Sequence, residues 1–70
     1  MLGHTRSMPG DAAELSSLAT TLGELERRLG ELGLAYERTG HDDVVAALFD
    51  AERTVRAAAR NVERARRALL

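Results

Sequence analysis

The stretch Leu15-Ser16-Ser17-Leu18-Ala19-Thr20-Thr21-Leu22-Gly23-Glu24-Leu25-Glu26-Arg27-Arg28-Leu29-Gly30-Glu31-Leu32-Gly33-Leu34-Ala35-Tyr36 decides the fold. Its residues Leu15, Leu18, Leu22, Leu25, Leu29, Leu32 and Tyr36 recur at spacings of 3, 4, 3, 4, 3 and 4. That is the period of a helix carrying one apolar seam, which repeats every 3.5 residues when helices pack side by side. One long helix over about 11–39 is expected. Asp11, followed three residues later by Glu14, is placed to cap it as a capping box, and Pro9-Gly10 discourages an earlier start. Residues 1–10 are expected to form a disordered tail ahead of a hairpin over 11–70, and Met8 would serve as a start as well as Met1.

Downstream, Thr39-Gly40-His41-Asp42 reads as a tight turn over 39–42. Gly40 can take the left-handed conformation that ends a helix, and Asp42 or Asp43 can open the next. A second helix follows over about 43–69, with a seam of Val44, Leu48, Ala51, Val55, Ala58, Val62, Ala65 and Leu69. So short a turn obliges the helices to pack antiparallel. Facing positions then share an index sum of 80, which sets Tyr36 against Val44, Leu29 against Ala51, Leu25 against Val55 and Leu22 against Ala58. Except at Leu32 and Leu48, each large side chain of the first helix meets a smaller one. The fold class is all-α, an antiparallel two-helix coiled-coil hairpin.

Two helices share only one seam, and ordering each residue costs about 1.5 kcal/mol of conformational entropy. Further burial is therefore expected. Beside the first seam runs a row of mostly small residues, Ala12, Ser16, Ala19, Gly23, Glu26, Gly30 and Gly33, and glycine within a helix costs about 1 kcal/mol relative to alanine. Keeping three of them suggests that another backbone approaches there. Off the seam, Phe49, Val45 and Leu34 add apolar surface near the turn. Ala19, Gly23, Glu26, Gly30, Gly33, Leu34, Val45 and Phe49 are accordingly the candidate partner-binding residues, and a homodimer closing into a four-helix bundle is the expected assembly. Glu26 and Glu52 lie at one level of such an interface. They need arginine partners, for which Arg27, Arg53 and Arg56 are the candidates, within a chain or across the dimer.

Arg53, Arg56, Arg60, Arg64 and Arg67 line one face of the second helix. Such a stripe can steer an acidic protein partner or, in the alternative reading of a small nucleic-acid-associated regulator, meet phosphates. The chain as a whole carries a net charge of -1 and the stripe has no aromatic side chain to stack on bases, which weighs against nucleic acid.

Composition closes off other classes. Ala, Leu, Arg and Glu make up 40 of the 70 residues, a helical bias, and there is no cysteine for a disulfide or a thiolate metal site. All ten basic residues are arginine. Neither helix carries the Glu-x-x-His pair of a di-iron bundle, and His41-Asp42-Asp43 is explained by turn and helix-start chemistry. No nucleophile has a histidine in plausible reach except Thr39 beside His41, again a turn feature. No enzyme, cofactor or metal is expected. No apolar run is long enough to span a bilayer and the amino terminus lacks the apolar core of a signal peptide, so a cytoplasmic protein without membrane contact is expected.

Overall fold

The computed structural model describes residues 10–69, which form two helices, α1 (Asp11–Tyr36) and α2 (Asp42–Ala68), packed against each other as a hairpin. The tail expected over 1–10 lies outside the described residues except for Gly10.

Gly10, not Asp11, caps α1. Its backbone is left-handed (φ 94°), a conformation that costs glycine nothing, and its carbonyl accepts the Glu14 N–H at 2.8 Å. The Glu14 N–H that a capping box would bind to Asp11 goes to Gly10 instead, so the expected capping box is not seen among the described residues. Asp11 and Glu14 instead lie within the first turn, where negative charge complements the helix dipole.

The first helix ends at Tyr36, short of the expected 39. Glu37 turns extended, and the chain then uses two left-handed residues, Arg38 (φ 65°) and Gly40 (φ 88°), where the sequence suggests one. Thr39 holds the end by donating both its N–H (3.2 Å) and its hydroxyl (2.5 Å) to the Tyr36 carbonyl. Across the turn, the Tyr36 and His41 rings meet edge to face at 5.9 Å. The second helix opens with the Val45 N–H on the His41 carbonyl at 3.0 Å, and Asp43 Oδ1 accepts the Val44 N–H at 2.9 Å. Acidic residues in its first turn (Asp42, Asp43) and basic ones in its last (Arg66, Arg67) both favour the helix dipole.

The register of the hairpin differs from the expected one. The cross-helix approaches are Gly33 to Phe49, Gly30 to Glu52 and Glu26 to Arg56, each with an index sum of 82 rather than 80. With 3.6 residues per turn, this places the facing direction of α1 roughly 60° away from the middle of the leucine seam, toward the glycine row. Phe49, placed off the seam by the heptad reading, is thus an inner residue of the hairpin. A Cβ added to Gly33 would sit 2.8 Å from Cε1 of the Phe49 ring, so the ring lies where only glycine leaves room. The physical reason is area: an aromatic side chain buries about 150–250 Å², more than any valine or alanine of the α2 seam. Gly33 is the only buried residue among those described, and none of the larger apolar side chains is fully covered.

Candidate interaction surface

The turned register divides the leucine seam. Leu15, Leu22 and Leu29 become half-buried against α2, whereas Leu18, Leu25, Leu32 and Tyr36 remain 40–49% exposed. Their position follows from helix geometry. Successive residues advance about 100° around an α-helix. Measured from the contact direction set by positions 26, 30 and 33, the exposed set lies roughly 80–120° to one side of α1. Measured from the middle of the half-buried residues of α2, which falls near Leu48, Val55 and Arg66, the residues Val44, Ala51, Ala58 and Val62 lie roughly 40–80° to one side of α2. Antiparallel chains count in opposite rotational senses, so these two flanks fall on the same side of the hairpin. The result is one continuous face, from Leu15 to Tyr36 and from Val44 to Leu69, whose seam positions include no charged residue.

The opposite side is polar. Arg27 pairs with Glu24 and, at 2.6 Å, with Glu31, while Arg53 pairs with Asp50. Arg27 holds Glu24 below the ordinary glutamate range, chiefly by its hydrogen bond, and is itself pushed up by both partners. Arg56 reaches across to Glu26 at 2.7 Å and along its own helix to Glu52 at 3.2 Å. Both acidic residues singled out in the sequence therefore find one arginine within the same chain, with no second molecule needed. The hydrogen bond to Glu26 is the main cause that raises the Arg56 guanidinium. Arg66 similarly holds Glu63 down.

The expected partner-binding residues are dispersed by this arrangement. Glu26, Gly30, Gly33 and Phe49 come together inside the hairpin, where α2 already occupies them. Ala19 and Val45 are partly buried. Among the described residues nothing lies near the place a Gly23 Cβ would take, so none of their backbone approaches it, and Leu34 stands 63% exposed on the polar side. The heptad period places the half-exposed leucines in the hairpin seam, and the signal for the alternative is Phe49 standing opposite Gly33.

Within the arginine stripe, Arg53 and Arg56 are engaged by carboxylates and Arg64 donates to Asn61 Oδ1 at 2.6 Å. Arg60 and Arg67 make no ion pair among the described residues. Beside the turn, Glu37, Arg38, Asp42 and Val45 line a depression too open to enclose a ligand. Among the described residues no group of three or more His, Cys, Asp or Glu side chains converges to hold a metal ion, and no helix is long and apolar enough to cross a membrane. Compared with known protein families, with curated proteins and with solved structures, the chain matches none.

Proposed function

We propose that this chain is a non-enzymatic protein-interaction module, a helical hairpin that completes its core by associating through its open apolar face, with a homodimeric four-helix bundle as the assembly. One observation carries the reading: among the described residues the hairpin has no fully buried large side chain, yet it holds a row of half-exposed leucines along one face. Apolar burial is the dominant favourable term in folding, and two helices with a single half-covered seam have little of it. Full burial of a leucine is worth about 1.5–3 kcal/mol, so covering the exposed half of each is worth on the order of 1 kcal/mol per side chain. The interaction surface in this reading is the leucine face rather than the glycine row.

The test is the solution mass of the purified chain, by light scattering over a dilution series, with helicity read on the same samples. Association with helicity lost on dilution supports the module. A monomer that is poorly helical until it meets another protein supports the module with a different partner. A monomer that stays fully helical and cooperatively folded at every concentration ends it.

A further inference from the structure

Resting on that reading, we infer that the occupant of the open face is a second copy of this chain, related by a two-fold axis that runs parallel to the helices, so that α1 of each copy packs on α2 of the other. The argument is one of height and size. Rotation about an axis parallel to the helices moves nothing along them, so the height of each residue in the partner is fixed by the hairpin itself. Within the hairpin the Gly33/Phe49, Gly30/Glu52 and Glu26/Arg56 contacts each have an index sum of 82, and because the α2 side chains lean toward the turn, equal height lies at that sum or one to two residues below it. On the open face, Leu18, Leu25, Leu32 and Tyr36 then fall level, to within about one helical turn, with Ala65, Ala58, Ala51 and Ala47 of the second copy.

Each of these pairs sums to 83, and each sets a large side chain against an alanine. Counted from the middle of the half-buried residues of α2, all four alanines lie roughly 60–100° to the side of the open face. In this arrangement a large-against-small match is made between copies, at pairs other than those the sequence sets within the hairpin, while the hairpin itself is closed by Phe49 on Gly33 and by Arg56 on Glu26. The rival two-fold, perpendicular to the helices, stacks leucine on leucine along α1 and alanine on alanine along α2, which forces one helix pair apart and draws the other together.

Size agrees as well. The leucine row from Leu15 to Tyr36 is about 31 Å long and two helices are about 20 Å wide, a projected face of about 600 Å², of the order of the roughly 800 Å² per partner in a standard interface. The parallel axis brings the acidic turns of the two copies to one end. Those charges are exposed and screened within about 10 Å at 0.1 M salt, so added salt should tighten this dimer.

The chain contains no cysteine, which makes engineered thiols unambiguous reporters. Leu25→Cys and Ala58→Cys chains are prepared separately, mixed in equal amounts, associated and oxidised, with helicity checked for each. A covalent dimer that is almost entirely the mixed Leu25→Cys/Ala58→Cys species is the expected result. Efficient self-linking of Leu25→Cys alone overturns the parallel axis in favour of the perpendicular one, while the interaction module survives. A light-scattering mass of one chain at all concentrations, in samples that become helical only with another protein, overturns the second copy as occupant and again spares the module. A stable helical monomer overturns both.

Discussion

Arg56 of α2 donates its Nε–H to Glu26 of α1 at 2.7 Å, and among the described residues this is the only ion pair that joins the two helices. The same guanidinium reaches Glu52 at 3.2 Å, one turn back on its own helix. One arginine thus pairs with two carboxylates that are each largely covered, at 26% and 21% side-chain exposure. Replacing Arg56 by alanine should lower the thermal midpoint more than the same change at Arg53, which pairs only locally with Asp50. Equal effects of the two variants, measured side by side in low salt, would show that the cross-helix contact contributes nothing.

The glycines should separate cleanly. A methyl group at Gly33 meets the Phe49 ring, and overpacking of this kind costs about 1–3 kcal/mol, whereas a methyl at Gly23 meets nothing and gains about 1 kcal/mol of helix propensity. Gly33→Ala should therefore destabilise and Gly23→Ala should stabilise. In a Phe49→Ala background the sign at Gly33 should reverse, which a double-mutant cycle in urea measures directly.

Two left-handed residues close the turn. An L-residue in this conformation is strained by about 1–2 kcal/mol. Because Arg38 is one, Arg38→Gly should raise stability by about 0.5–1 kcal/mol after the entropy of the freer unfolded chain is subtracted, while Gly40→Ala should lower it by about 1 kcal/mol. Chemical denaturation of both variants tests the turn without touching the open face.

Polar substitution on the open face should act on association. Leu18→Gln with Leu32→Gln removes two half-exposed leucines from each copy, four per dimer, at about 1 kcal/mol each. The Kd for self-association should rise about 10³-fold. An unchanged dilution profile would show that this face is not the interface.

Acid should weaken the helices. Glu24, facing Arg27 and Arg28, and Glu63, facing Arg66 and Arg67, both titrate below the ordinary value of 4.5 in the folded chain. A carboxylate lowered on folding contributes stability that is complete above its unfolded value and is lost as pH falls through the folded one. Helicity should be constant from neutrality to about pH 5 and decline below it, and Glu24→Gln with Glu63→Gln should flatten that decline.

Much of this architecture is legible along the chain. The spacing of Leu15 through Tyr36 and of Val44 through Leu69 places both helices, and the Gly40 region between them places the reversal, because helix period and turn chemistry are local properties. Local rules also fail in identifiable places. Asp11 is a good capping residue in isolation, but Gly10 takes the cap because a left-handed backbone costs it nothing. Arg38 takes a conformation its residue type disfavours because the chain must reverse within five residues between Tyr36 and Asp42.

By itself, then, the sequence determined two amphipathic helices and their antiparallel pairing, which follow from period and turn length. Only the tertiary structure decided which face of each helix turns inward. That choice is a competition between two neighbouring seams some 60° apart, and it is settled by a contact no one-dimensional pattern contains: the Phe49 ring lying on the bare backbone of Gly33, with Arg56 locked to Glu26 beside it. Turning those residues inward is what leaves Leu18, Leu25, Leu32 and Tyr36 in the open.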